Sequence, residues 1–164
     1  MSTRRRVLHL AAGALALPAL PRLARADTYP SKPVHVKKDI PGFVGNRLQH
    51  ALKREAIALV AAGVCDADTI DEVVKNGFGA RMAVLGPMEQ SDLVGTDLTL
   101  DIQNVLMADL DRGTEPTKFL KDLVASGKLG MRTGEGLRKW PPGEADKVRE
   151  RLRQSLAEQA RKKS

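Results

Sequence analysis

The sequence predicts an all-α protein, a helical bundle of about five to six helices. Three observations carry that reading. Aromatic residues make up only 3% of the 164, so an apolar interior must be built from Leu, Val, Ile, Ala and Met, a balance that suits helices better than sheets. Apolar residues recur at three- and four-residue steps in one window after another, which is the helical period. No window alternates apolar with polar residues as a half-buried strand would, and there is no internal repeat.

The chain opens with "MSTRRRVLHLAAGALALPALPRLARA". Arginines come first, then an apolar run of about 14 residues, then small residues at Ala24 and Ala26. This is the order of an export signal. The run is short of the ~20 residues of a membrane span, and Pro18 and Pro21 interrupt it. The stretch around Arg4 and Arg5 resembles a twin-arginine signal, although Val7 and His9 stand where Phe and Lys are commoner. Cleavage is expected between Ala26 and Asp27. The following "DTYPSKPV" resembles the mature start of solute-binding receptors of tripartite tricarboxylate transporters over about eight residues. Such a receptor needs a large two-lobed α/β domain, and nothing after Val34 supplies one. The chain therefore divides into a signal peptide (1–26), a linker (27–36), a helical domain (37–142) and a basic C-terminal helix (143–164).

Each helix has local signals. In the first, Val44, Leu48, Ala51, Leu52, Glu55, Ala56, Leu59 and Val60 share one face; Pro41 and Gly42 open it and Gly63 closes it in a left-handed cap. The second starts at Asp66, an N-cap type, with Asp68 in the first turn and Ile70, Val73 and Val74 as its stripe, and residues 76–79 (NGFG) break it. The third starts at Gly86 with Pro87 in its first turn. The fourth spans 97–110, with Leu98, Ile102, Val105, Leu106 and Leu110 expected inward. Thr114 is expected to cap the fifth, whose core side is Phe119, Leu120, Leu123 and Val124, and Gly127 to end it. A Gly-rich irregular segment follows. Residues 144–164 form a last helix with a narrow stripe of Val148, Leu152 and Leu156, expected to lie on the bundle surface. About 105 residues can build one modest core, with some apolar surface left for a partner.

The net charge of +7 would suggest nucleic acid if it were evenly spread. Residues 1–26 supply +5 and 144–164 supply +3, so the middle is close to neutral and no nucleic-acid partner is expected. A single cysteine, Cys65, excludes an intrachain disulfide and a multi-cysteine metal site.

Three blocks, "KDIPGFVGNRL" (38–48), "GPMEQSDLVGTD" (86–97) and "GKLGMRTGEGLRKW" (127–140), resemble the C-terminal domain of 3-hydroxyacyl-CoA dehydrogenases. The central block also resembles the branch of L-gulonate dehydrogenase and lambda-crystallin. The resemblance implies a helical domain like the C-terminal one of 6-phosphogluconate dehydrogenase. It implies dimerisation through that domain, and an acyl-CoA or sugar-acid substrate. It also implies an NAD-binding Rossmann domain carrying a His–Glu pair for proton transfer, alongside the helical domain. The Asn of the first block maps to Asn46, which would hydrogen-bond a substrate oxygen. Gly45 departs from the usual branched aliphatic, and Leu137 and Arg138 replace the usual aromatic pair, with Trp140 close by to restore one ring.

The dinucleotide fingerprint itself needs a strand, G-x-G-x-x-G and a helix. "GFGARM" (77–82) and "GEGLRK" (134–139) begin it and lack the last Gly. Of the three histidines, His9 lies in the leader, His35 in an extended stretch, and His50 four residues after Asn46 on the same helix. None has a defined acid partner. The expectation is that this chain alone binds no cofactor and no metal and transfers no hydride. It would be the substrate-binding and dimer-forming half of an oxidoreductase of fatty acid metabolism, partnered by a second copy or by a separate Rossmann-type domain. The alternatives are an exported non-enzymatic binding module and two gene fragments joined between Tyr29 and Val36. The leader directs the chain to the periplasm; the family domain belongs in the cytoplasm.

Overall fold

The computed structural model describes residues 35–161; Arg4, Arg5, His9, Ala26 and Asp27 lie outside them. Residues 35–39 belong to a unit separate from the helical one that starts at Ile40. The helical unit holds α1 (Phe43–Ala61), α2 (Ala67–Asn76), a 3-10 helix (Phe78–Arg81), α3 (Pro87–Val94), α4 (Thr96–Leu106), α5 (Lys118–Ala125) and α6 (Glu144–Arg161). The all-α class is as expected. Residues 130–139 form only isolated antiparallel bridges, Gly130 to Glu135 and Glu135 to Lys139.

Several ends are set by the signals already named. Gly42 adopts φ 83° ahead of α1, a left-handed value that favours glycine. Asp66 accepts a hydrogen bond from the Thr69 N–H at 2.7 Å and so caps α2. Pro87 occupies the first turn of α3, where its missing N–H costs nothing.

Two boundaries differ from expectation. The N-cap of α5 is Thr117, not Thr114: its hydroxyl accepts from the Leu120 N–H at 3.3 Å. Pro116 is the cause, because a proline biases the residue before it away from helical backbone, so the chain cannot turn helical at Glu115. The fourth helix ends at Leu106 rather than Leu110. There the Arg112 guanidinium donates to the carbonyls of Met107 and Ala108, both at 3.1 Å, taking the place of further helical bonds.

The larger difference concerns burial. Among the described residues no side chain is fully buried. The second half of α1 packs: Ala56, Leu59 and Val60 are half-buried, and α1 lies against α2. Its first half does not, and Leu48 is 60% exposed. Leu98, Ile102, Val105, Leu106 and Leu110, expected inward, are all exposed, Val105 by 70%. The helices α3 and α4 pack on each other as a pair. Among the described residues, the modest core expected of about 105 residues is therefore not closed.

Candidate functional site

Two places have the geometry of a site. The first is the start of α1. Phe43 there has φ 51°, unusual for a residue with a Cβ, and the turn carries no side-chain cap and no acid. Its N–H groups and the helix dipole therefore favour negative charge at that end. Asn46 stands on the fourth residue of α1 and is exposed, as is His50 one turn later. The structure thus places these two on one side of the same helix end, while the exposed His35 lies in the preceding separate unit.

The second place is a groove of about 630 Å3 bounded by α1, α2, α5 and the Gly-rich segment 128–140. Its walls include Ile57, Val60, Ile70, Leu123, Leu137 and Trp140. Lys53, Lys128, Arg132 and Arg138 add positive charge to its lining, against Asp71. Leu137 and Arg138, which replace the usual aromatic pair of the family pattern, and Trp140, which restores one ring, all line this groove.

A compact turn holds that wall. The Gly130 N–H donates to the Glu135 carbonyl at 2.8 Å and the Trp140 N–H to the Gly134 carbonyl at 2.8 Å. Gly136 approaches Gly130 so closely that a Cβ on it would lie 2.6 Å from the Gly130 Cα. Any side chain at 136 would push this wall apart. Lys128 donates to the Glu135 carboxylate at 2.8 Å, and that bond holds the Glu135 carboxyl below the ordinary glutamate range. Arg138 then ties the turn to α2. Its guanidinium pairs with Asp68, donates to Asp71 at 2.7 Å, and lies 5.0 Å from the Trp140 ring centroid. Its Nε is buried without a hydrogen-bond partner.

Sequence reasoning missed this groove, because its walls come from four elements far apart in the chain. It also missed a charge pattern that was legible. Residues 82–111, which contain α3 and α4, hold Glu89, Asp92, Asp97, Asp101, Asp109 and Asp111 and no Lys or Arg.

Neither G-x-G start has the form a dinucleotide needs. Residues 77–82 run through the 3-10 helix, and residues 134–139 lie in the bridged turn; no strand leads into either one. The residues described thus do not fit an NAD cradle, and no hydride step can be derived from them. No helix among them is long and apolar enough to cross a membrane.

Comparison with known proteins gives one consistent answer. The family model of the 3-hydroxyacyl-CoA dehydrogenase C-terminal domain matches residues 42–140. The chain is 38% identical over 130 residues to 5-formyl-3-hydroxy-2-methylpyridine 4-carboxylate 5-dehydrogenase of Mesorhizobium japonicum, covering 79% of this chain and 40% of that protein. It is 38% identical over 112 residues to the mitochondrial hydroxyacyl-coenzyme A dehydrogenase of Homo sapiens, covering 63% and 32%. The solved structure of a 5-formyl-3-hydroxy-2-methylpyridine 4-carboxylic acid 5-dehydrogenase, described as an NAD+ dependent dismutase, superposes with a TM-score of 0.72 at 38% identity, covering 77% of this chain and 41% of that one. The chain thus spans about two-fifths of the length of these relatives or less.

Proposed function

Because the chain belongs to the family of 3-hydroxyacyl-CoA dehydrogenase C-terminal domains, a family of NAD-dependent oxidoreductases, we propose that it is the substrate-side half of such an enzyme. In this reading it transfers hydride only when a separate cofactor-binding domain docks on it. The observation that carries the proposal is Asn46 in the first family block, exposed near the start of α1, which has no side-chain cap. A neutral amide there donates a hydrogen bond to a substrate oxygen without changing its own protonation. The helix end adds its dipole, so negative charge developing on that oxygen is stabilised in the transition state. The exposed first half of α1, with Val44 and Leu48, is the surface on which the cofactor domain would seat. NAD, when bound by that domain, supplies the hydride acceptor; this chain's own residues bind and orient the substrate. The substrate class is an acyl-CoA or a sugar acid, and a second copy of the chain is the other partner.

The test is reconstitution. The chain is mixed with a separately expressed NAD-binding domain, NAD and a 3-hydroxyacyl-CoA or a gulonate-type sugar acid, and NADH absorbance is followed. A rate above the sum of the separate parts is expected, and Asn46→Ala should lower it by about 100-fold. No rate above that sum with any of these substrates rejects the proposal.

A second reading, an exported non-enzymatic module, is favoured by the arrangement of residues 1–26 alone. It predicts a mature chain beginning at Asp27 in a periplasmic fraction, and full-length chain retained in the cytoplasm rejects it.

A further inference from the structure

We propose that the groove bounded by α1, α2, α5 and the Gly-rich segment binds an amphipathic carboxylate, an apolar chain ending in one carboxylate group. The site goes beyond the proposed function, because it is separate from the helix end that carries Asn46 and needs no cofactor domain. Three observations carry it.

The first is the form of the groove. Its volume of about 630 Å3 lies within the roughly 300–1,000 Å3 of small-molecule sites. Ile57, Val60, Ile70 and Leu123 line it and are only half-buried, so apolar surface faces the cleft. An apolar chain seated there removes that surface from water. The wall opposite α1 is already fixed, by the close approach of Gly136 to Gly130 and by the pairing of Arg138 with α2.

The second observation is charge left over. Of the charged residues that line the groove, Lys128 is paired with Glu135, and Arg138 with Asp68 and Asp71. Lys53 on α1 and Arg132 on the Gly-rich segment remain. Both are exposed, and neither side chain has a hydrogen bond or ion pair among the described residues. Two unanswered cations beside an apolar cleft suit an anion joined to an apolar body. A carboxylate accepts from a guanidinium fork and keeps lone pairs for an ammonium. A neutral lipid would leave both cations unused, and a small anion would leave the cleft unfilled.

The third observation is place. Asn46 does not line the groove, and the first residue of α1 that does is Lys53. Seven residues of helix separate the two, which is about 10 Å along the axis. A molecule in the groove therefore makes its contacts without the Asn46 amide.

Trp140 lines the groove and is the single tryptophan of the chain, so its fluorescence reads this site. The full chain, at one fixed concentration, is titrated with sodium dodecanoate below its micelle-forming concentration. Dodecanol, butanoate and dodecyltrimethylammonium are titrated in parallel. A saturable shift of Trp140 emission is expected with dodecanoate, and binding weaker by about tenfold or more with each of the other three. Lys53→Gln with Arg132→Gln should weaken dodecanoate by about tenfold and leave dodecanol unchanged, which shows that the groove is intact. Each single substitution should weaken dodecanoate by about threefold, so the single variants decide if the double one does not fold. Asn46→Ala should leave the dodecanoate affinity as it is, so this test and the reconstitution succeed or fail separately. No saturable shift, dodecanol bound as tightly as dodecanoate, cation-free variants that bind dodecanoate like wild type, or its loss in Asn46→Ala would each overturn the proposal.

Discussion

Replacing Arg138 by Ala tests whether the Gly-rich wall of the groove is held to α2 as described. The guanidinium pairs with Asp68 and Asp71, whose side chains are 61% and 50% exposed. At that exposure, solvent screening limits each pair to about 0.5 kcal/mol. The Trp140 ring at 5.0 Å adds about 0.5 kcal/mol as a partly exposed cation–π contact. The unpartnered, buried Nε costs about 1 kcal/mol. The aliphatic stem of the side chain, which is only 30% exposed overall, returns a similar amount by packing. The net loss for Arg138→Ala is then about 1.5 kcal/mol, or roughly 6 °C in Tm for a domain of this size. Arg138→Lys keeps one ion pair and loses the fork and the ring contact, so it should recover only about 0.5 kcal/mol. Urea unfolding followed by circular dichroism at one fixed protein concentration reads these differences, the fixed concentration being needed because self-association shifts apparent stability. Asp71→Asn in the Arg138→Ala background should cost less than it does in the wild type. If Arg138→Ala unfolds within 0.3 kcal/mol of wild type, the reasoning about this clamp is wrong.

Two further outcomes are expected. Thr117→Ala should destabilise the chain by about 1 kcal/mol through loss of the α5 cap, while Thr114→Ala should leave unfolding nearly unchanged; equal effects would reinstate Thr114 as the cap. The Glu135 carboxyl, lowered by its hydrogen bond to Lys128, contributes stability that is present above the ordinary glutamate range and lost as pH falls through its depressed folded value. A carboxyl-carbon NMR titration should place its midpoint below that of an unperturbed glutamate, and Lys128→Met should restore the ordinary value; a midpoint already ordinary in the wild type contradicts the bond.

Local chemistry made the helices legible. Asp66, Gly42 and Pro87 act within one turn of themselves, so their effect on α1, α2 and α3 follows from the sequence around them. The misplaced start of α5 shows the limit of reading one residue at a time. Thr114 and Thr117 are equally good cap types, and only the backbone restriction imposed by Pro116 separates them. The apolar periodicity of α4 marked which residues share a face. It could not say whether the surface meeting Leu98 and Val105 lies in the same chain or in another, because period carries no information about the partner. Asn46 was named from its block, and its place at the start of α1 follows from Pro41 and Gly42. The groove was beyond reach because Ile57, Ile70, Leu123 and Trp140 meet only through tertiary structure. The base-free run 82–111 was readable throughout, but net charge averaged over 27–143 concealed it.

The function proposed for the helical domain is the substrate side of a dehydrogenase, with the dinucleotide held by another domain. Titrating NAD into the purified chain by isothermal calorimetry tests it most directly. The account predicts no binding heat at millimolar NAD until a cofactor domain is added, and saturable binding afterwards. Stoichiometric uptake of NAD by the chain alone, with conversion to NADH in the presence of a hydroxyacyl substrate, would contradict it.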